Sequence, residues 1–316
     1  MNGGTLSGPF VVDGHCDSIS GLKKGRPLIN AYNFSSERPQ LQFVALFCGG
    51  PGQTPDDAYR LAKRYLSLFA DEAAGKGDLF SQVTDFSGIE RTLSSGRHAA
   101  LLTEEGGSCV RSVGDLREFY DAGIRVFGLA WLSNALAKSN RIAEGEEDTG
   151  LSGFGREIIA EGNRLGMIFD VSHLSDRSFW DVMELSAKPP VATHSNFRAL
   201  CPHSRNLTDE MAKALVDRGG IIGLNLYPPF ISEDEKERSV DGLFRHLRHA
   251  IDLLGEDSVG FGCDIDGVDG WYPEPLDESS SIHDRLIGEM IRAGFSNSVV
   301  EKVAWRNWIS YLSGNL

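Results

Sequence analysis

The feature that most constrains the fold is a regular alternation of short β-rich runs with helical segments along the whole chain. Such alternation is typical of parallel α/β architecture. Eight runs have the composition of buried strands: PFVVDGH, LQFVALFC, HAALLTEE, RVFGLAW, GMIFDVSH, PPVATHS, GGIIGLN and SVGFGCD. No Pro-, Gly- or Ser-rich linker divides the 316 residues, a length that one barrel with insertions accommodates. We therefore predict one domain over residues 1–316, a closed (β/α)8 TIM-type barrel.

The segments between the runs have helical periodicity and recognisable ends. In NLTDEMAKALVDRGG, Thr208 is the expected N-cap and Gly219 the expected left-handed stop. Residues 240–254 place apolar side chains at helical spacing, which predicts that the intervening arginines and histidines face water. The acidic, glycine-rich stretch RIAEGEEDTGLSGFG follows the fourth run and is predicted to be a long functional loop.

Charge and cysteine usage exclude several classes of partner and compartment. With 31 basic and 45 acidic residues the net charge is −14, which repels nucleic acids and anionic membrane surfaces. No basic and apolar leader or membrane-spanning run is recognised, so we expect a cytoplasmic protein that does not bind membranes. An odd, scattered set of cysteines without a CxxC pair argues against a disulfide framework: Cys16, Cys48, Cys109, Cys201 and Cys263.

Histidines and carboxylates end several of the apolar runs, where barrel active sites lie. Three of the eight histidines close runs: His15, His173 and His194. The strand-end carboxylates are Asp17, Glu105 and Asp264. In an extended strand His15 and Asp17 would face the same side and present a nitrogen and an oxygen ligand together. The remaining histidines are expected to be solvated or hydrogen-bonded: His98, His203, His246, His249 and His283.

Imidazole and carboxylate groups are ligands that Zn²⁺ prefers, although they also accept manganese or cobalt. Catalytic zinc usually takes three protein ligands and a water, so five ligands with one bridging carboxylate indicate two metals. Each motif alone has a simpler interpretation, such as a chance His-x-Asp pair, a Glu-Gly-Gly turn or an aspartate cap. Their joint placement at one end of consecutive strands favours a metal site.

Six motifs occur in a characteristic order: DGHCD, TEEGG, DVSHLS, THSN, SRNLTDE and GFGCDIDGV. In this order the chain resembles the renal or membrane dipeptidase family, peptidase family M19, within the metal-dependent, amidohydrolase-like hydrolases. The resemblance extends from about Asp13 to the end of the last barrel strand. It implies a zinc-dependent dipeptidase acting on small dipeptides, some with a D-residue at the C-terminal position, and makes a homodimer the expected assembly.

The resemblance also implies roles for individual residues. One Zn²⁺ would be held by His15, Asp17 and Glu105, and the second by Glu105, His173 and His194, with a shared water or hydroxide. Glu105, not Glu104, matches the family's Glu-Gly-Gly. The bridging hydroxide would attack the peptide carbonyl while one zinc polarises its oxygen.

Further matches concern the substrate and the proton. Arg205 in SRN would bind the substrate's C-terminal carboxylate, a role that suits a planar, permanently charged guanidinium. Asp264 would carry a proton to the leaving amine, with Asp266 as the nearby alternative, and Tyr227 is a candidate substrate contact. Trp131 stands where many family members have a histidine that helps to hold the substrate carbonyl, so we expect altered substrate preference.

Two other interpretations remain open at this point. Another binuclear hydrolase, such as a lactonase, deaminase or phosphotriesterase, often bridges its metals with a carbamylated lysine, but Lys138 lies several residues beyond the fourth run. A metal- or peptide-binding protein that has lost activity is suggested only by Trp131.

Overall fold

A barrel of parallel strands forms the centre of the molecule in a computed structural model that describes residues 6, 8–29, 33–35, 37–267, 273 and 281–316. Most strands are buried on both faces, as expected where helices cover a parallel sheet. The strands are β1 (Val11–Cys16), β2 (Gln40–Phe47), β3 (Phe80–Val83), β4 (His98–Glu105), β5 (Val126–Gly128), β6 (Ile168–Asp170), β7 (Ile222–Leu224) and β8 (Val259–Phe261).

The strands follow the order β6-β5-β4-β2-β1-β8-β7, and these pairs are parallel. The ring closes between β6 and β7 through a short extended segment, in which Val191 bridges to Asp170 and Ala192 to Ile222. The predicted (β/α)8 TIM-type barrel is thereby confirmed. All the strands point the same way, so their carboxyl ends meet at one mouth.

Two details of the predicted strands are wrong. PPVATHS forms only isolated bridges, at Val191 and Ala192, and a backbone hydrogen bond from the Ser195 N–H to the Gly223 carbonyl, while Pro189 and Pro190 have no N–H to donate. Strand β3 was not among the predicted runs, since its four residues FSQV are too few to give a clear alternation. It pairs with the amino-terminal half of β4, whereas β5 pairs with the carboxyl-terminal half.

Helices surround the barrel and begin at well-defined caps. The Thr208 hydroxyl accepts a hydrogen bond from the Met211 N–H, and Gly219 is left-handed at φ 85°, so both predicted ends of that helix are confirmed. The α-helices are α1 (Ile19–Leu22), α2 (Pro55–Gly75), α3 (Phe86–Ser94), α4 (Val113–Asp121), α5 (Gly153–Leu165), α6 (Asp176–Leu185), α7 (Asp209–Asp217), α8 (Pro228–Ile231), α9 (Val240–Leu254), α10 (Ile282–Arg292), α11 (Asn297–Glu301) and α12 (Asn307–Asn315). A 3₁₀ turn covers Glu235–Glu237 and a π-helical turn covers Lys302–Arg306.

The expected exposure of the α9 histidines is wrong for His246, which is fully buried. Its Nδ1 accepts from the Phe197 N–H at 3.2 Å and its Nε2 donates to the Ile231 carbonyl at 2.9 Å, so the ring is satisfied inside the protein. All five cysteines are buried free thiols, in line with the predicted lack of a disulfide framework. Among the described residues, no helix combines the length and the apolar character needed to cross a bilayer.

Candidate metal centre and substrate cavity

The strand-end histidines and carboxylates come together at the mouth of the barrel. Two overlapping sets of ligand atoms, each within 4.8 Å of one another, are formed by His15, Asp17 and Glu105 and by Glu105, His173 and His194. These side chains are nearly fully buried, as are Asp264 and Arg205 beside them. The five predicted metal ligands thus lie in one cluster.

Glu105, the last residue of β4, lies between the two sets. Its Oε2 is 3.4 Å from His15 Nε2, whereas its Oε1 is 2.9 Å from His173 Nε2 and 3.7 Å from His194 Nε2. One carboxylate oxygen therefore faces each set, which is the arrangement that a bridging ligand requires. On the first side, Asp17 Oδ2 completes the group at 3.6 Å from His15 Nε2.

Hydrogen bonds behind His194 select the tautomer that binds metals. The Thr193 hydroxyl donates to Asp170 Oδ2, so its oxygen is free to accept the proton on His194 Nδ1, 2.7 Å away. Nε2 then carries a lone pair and points at Nε2 of His173, 3.0 Å away. Two imidazole nitrogens this close can both bind one metal ion. In metal sites the second nitrogen of a histidine ligand is typically hydrogen-bonded to a protein group, which here is the Thr193 hydroxyl.

Burial shifts the pKa values of the clustered side chains toward their uncharged forms at Asp17, His173 and His194. Burial and the charge of Glu105 together raise the pKa of Asp17 to about 7. Burial lowers the pKa of His173 to about 3 and that of His194 well below its usual value, so both rings are neutral. His15 Nε2 and Asp17 Oδ1 are buried and have no hydrogen-bond partner among the described residues. The carboxylates of Glu105 and Asp17 instead raise the pKa of His15. The neutral His173 and His194 rings and the crowded carboxylates fit divalent metal ions.

The adjacent glutamates Glu104 and Glu105, at the start of the Glu-Gly-Gly turn, have different surroundings. The Glu104 carboxylate faces away from the cluster and accepts from the Gly107 N–H at 2.8 Å, and burial raises its pKa well above the usual value. Gly107 has φ 68°, and a Cβ there would lie 2.2 Å from the Leu129 carbonyl oxygen. A glycine is therefore required to turn the chain directly after Glu105.

Backbone strain marks the same region. Among the described non-glycine residues, left-handed φ values occur at His173 (67°), Asp264 (58°) and Asp266 (63°). Such a conformation costs about 1–3 kcal/mol and tends to cluster at functional sites. At His173 it turns the chain beyond β6, where simple strand alternation no longer applies.

Asp264 and Asp266 have different surroundings. Asp264 Oδ2 accepts from Asn225 Nδ2 at 3.0 Å, its Oδ1 is 4.0 Å from His15 Nε2, and burial raises its pKa. Asp266 also lines the cavity, but Arg26 Nη2 lies 2.6 Å from its carboxylate. The geometry therefore leaves Asp264, not Asp266, beside the ligands.

Arg205 lies beneath His194, with its Nη1 donating to Ser195 Oγ at 2.8 Å and its Nη2 to the His194 carbonyl at 2.7 Å. Its Nε is buried without a partner among the described residues, and burial lowers its pKa to about 10. No carboxylate in the described part of the chain lies within 4.0 Å of this guanidinium. Arg205 therefore has no direct carboxylate partner among these residues, although the charges of Asp264, Asp170 and Glu105 favour its charged form.

A cavity of about 490 Å³ opens above the cluster, large enough for a small ligand. Trp131 forms part of its wall, with its ring centroid 5.1 Å from that of Phe47 and 6.0 Å from that of His173. Tyr227 and Arg141 also line it, and Arg141 stacks on Trp131 with its guanidinium carbon 3.9 Å from the ring centroid.

Asp13, whose carboxylate accepts from the His15 N–H at 3.1 Å, was not among the predicted site residues. The same is true of four residues described above: Arg141, Asp170, Thr193 and Asn225. Two of the five gave a usable signal, because Asp13 and Asp170 each end an apolar run two or three residues before a histidine. Arg141 begins the stretch predicted to be a functional loop, but its contact with the cavity depends on how that segment folds back.

A (β/α)8 barrel with imidazole and carboxylate groups gathered at its carboxyl-terminal mouth defines the class of metal-dependent hydrolases. A family model described as membrane dipeptidase (peptidase family M19) matches residues 7–313. The chain belongs to this family, and it is a dipeptide-hydrolysing enzyme of the metallopeptidase type.

Relatives and solved structures agree with the family. A Klebsiella pneumoniae protein described as an uncharacterized protein in the pqqA 5′ region is 38% identical over 205 residues, covering 63% of this chain and 74% of that protein. Dipeptidase tcpJ of Claviceps purpurea (strain 20.1) is 31% identical over 258 residues, 80% of this chain and 57% of tcpJ. A metallo peptidase from Rhodobacter sphaeroides, liganded with a phosphinate mimic of the dipeptide L-Ala-D-Ala, superposes with a TM-score of 0.83 at 26% identity, covering 97% and 99% of the two chains. Dipeptidase AC gives 0.84 at 27% identity, covering 96% and 98%.

Proposed function

We propose that this chain is a zinc-dependent dipeptidase with two Zn²⁺ ions per chain that hydrolyses small dipeptides, including L-Xaa-D-Xaa dipeptides. The observation that carries the proposal is the placement of Glu105, whose two carboxylate oxygens face separate groups of ligand atoms. His15 and Asp17 would hold one ion with Glu105, and His173 and His194 the other. The bound ions would supply Lewis acidity, acidifying a shared water and polarising the scissile carbonyl.

Asp264 is the proposed proton carrier. Its carboxyl group lies beside the ligands, and the Asn225 amide holds its Oδ2 in place. Burial raises the pKa of Asp264, which favours its accepting a proton that it then releases to the leaving amine. Its left-handed backbone fixes the direction of the side chain.

Arg205 is proposed to bind the C-terminal carboxylate of the substrate. A buried guanidinium without a carboxylate partner among the described residues is costly unless an anion reaches it. Its Nη atoms are fixed by Ser195 and by the His194 carbonyl, so the group is already oriented when a substrate arrives. Tyr227 and Trp131 would contact the rest of the dipeptide from the cavity wall.

The competing hydrolases receive less support from the site. Lys138 forms an ion pair with Glu146 and is not part of the ligand groups, so it does not offer a carbamylated bridge. A non-catalytic homologue would have no need for the buried Asp264 beside the ligands.

The test is hydrolysis of a panel of L-Xaa-L-Xaa and L-Xaa-D-Xaa dipeptides, with metal content measured on the same sample and chelator-treated protein as the control. Chelator-sensitive cleavage with about two zinc ions per chain is expected. Two bound ions without cleavage of any dipeptide would refute the dipeptidase activity, and the search would move to other amides, lactones and phosphoesters.

We also propose that residues 1–316 act as one catalytic domain and that the enzyme is a cytoplasmic homodimer. The net charge of −14 supports a small-molecule substrate and no nucleic-acid or anionic membrane partner. Size-exclusion chromatography with light scattering would test the dimer.

A further inference from the structure

Arg141 is a second guanidinium at the substrate cavity, and the proposed reaction gives it no role. It lines the cavity together with Asp17, Glu105 and Asp264. In the part of the chain that the structure describes, no carboxylate lies within 4.0 Å of its guanidinium, and no side-chain hydrogen bond fixes it. Its charge is thus available to an anion that enters the cavity.

The position of Arg141 is fixed by its neighbours. Its backbone N–H donates to Ser139 Oγ at 3.2 Å, and the preceding Asn140 N–H donates to the His173 carbonyl at 2.8 Å. The Asn140 side-chain amide is oriented so that its nitrogen donates to the same His173 carbonyl at 3.1 Å. In this orientation its oxygen accepts from the backbone N–H of Arg205 at 3.3 Å. This places Arg141 on the side of the cavity where Arg205 lies.

Stacking on Trp131 sets the orientation of the guanidinium. The guanidinium carbon is 3.9 Å from the indole centroid, so one planar face is covered by the ring. The guanidinium keeps its N–H donors in the fork geometry that matches a carboxylate. Trp131 therefore acts as a platform for the cation.

We propose that Arg141, held on Trp131, selects dipeptides whose C-terminal residue has an acidic side chain. This inference rests on the proposed dipeptidase function, in which Arg205 binds the C-terminal carboxylate. A neutral dipeptide has one carboxylate and leaves Arg141 without a partner, whereas a C-terminal aspartate or glutamate supplies a second carboxylate to the same side of the cavity.

The test compares matched substrates that differ only in charge: L-Ala-Glu against L-Ala-Gln, each with an L- and a D-configured second residue, and L-Glu-L-Ala against L-Gln-L-Ala. For the zinc-loaded wild-type enzyme, kcat/KM should be about two- to fivefold higher for the glutamate member, mainly through a lower KM, because the Arg141 side chain is exposed and water screens its ion pair. Arg141→Gln should bring the ratio close to one, and Arg141→Lys should give an intermediate value, because an ammonium keeps the charge but loses the fork. Arg64→Gln on the exposed face of α2 makes the same charge change and should leave the ratio unaltered.

Three outcomes would overturn the inference. A wild-type ratio near one removes the selectivity itself. An equal loss for both substrates in Arg141→Gln would mean that Arg141 binds the common C-terminal carboxylate. A charge preference confined to Glu-Ala over Gln-Ala would place the acidic side chain on the first residue. Cleavage of neutral dipeptides without charge preference refutes this inference alone, whereas no cleavage of any dipeptide refutes the proposed function with it.

Discussion

The buried carboxylate of Asp13 joins strand β1, which carries His15, to the segment after β8 that leads to Asp264, and its removal should strongly destabilise the fold. Its Oδ1 accepts from the His15 N–H at 3.1 Å and from the Cys263 N–H at 2.9 Å. Its Oδ2 accepts from His283 Nε2 at 2.6 Å, which connects helix α10 to the same point. Asp13 and His283 are both fully buried, so water cannot replace these contacts.

The contacts set the expected magnitude. Asp13→Ala leaves three buried donors without an acceptor, and each costs about 1–3 kcal/mol. The sum, about 3–9 kcal/mol, is a large share of the roughly 5–15 kcal/mol that stabilises a typical domain. Asp13→Asn keeps an oxygen for the two backbone N–H groups and changes only the contact with His283, so it should cost about 1–3 kcal/mol.

Urea unfolding of chelator-treated protein would measure both losses, so that metal binding does not mask them. Asp71→Ala on the exposed surface of α2 is the control and should change the free energy of unfolding by less than about 0.5 kcal/mol. If Asp13→Ala does not fold, Asp13→Asn still gives a measurable value. A loss below about 1 kcal/mol in Asp13→Ala would refute the reasoning.

Other predictions concern the chemistry and the turn after β4. Asp264→Asn should lower kcat by about 10²–10⁴ while both metals stay bound, and full activity in this variant would refute its role as proton carrier. Metal affinity should increase as pH rises through about 7, because burial raises the pKa of Asp17 to about 7 and its proton competes with the metal. Equal affinities in calorimetric titrations on either side of that pH would contradict this. Gly107→Ala should destabilise the fold by about 1–3 kcal/mol or more, since its Cβ would lie 2.2 Å from the Leu129 carbonyl oxygen at φ 68°. Unchanged thermal unfolding would show that this turn relaxes freely.

The sequence was sufficient to predict the barrel and the cluster because both depend on where apolar runs end. His15 and Glu105 lie at the ends of regular strands, so the mouth of the barrel was a sufficient guide to their position. The sequence was insufficient to predict the position of Arg141, which lies in an irregular segment. The path of that segment is set by hydrogen bonds of Asn140 to His173 and Arg205. The sequence also failed for His246, because helical periodicity does not reveal that two backbone groups satisfy that ring in the core.

Asp13 and Asp170 have the same structural role at two places in the barrel, and this explains why the site depends on residues outside the proposed ligand set. Each carboxylate accepts the N–H of the residue two positions later and an N–H from the neighbouring extended segment. For Asp13 these come from His15 (3.1 Å) and Cys263 (2.9 Å), and for Asp170 from Ser172 (2.9 Å) and Thr193 (3.0 Å).

In both cases the neighbouring residue directly precedes a site residue, Asp264 after Cys263 and His194 after Thr193. Each aspartate therefore fixes the relative position of two adjacent segments, because its carboxylate accepts hydrogen bonds from both of them. An aspartate that ends an apolar run shortly before a histidine thus indicates a group that positions the ligands. In this chain such aspartates hold neighbouring parts of the site at fixed distances from one another.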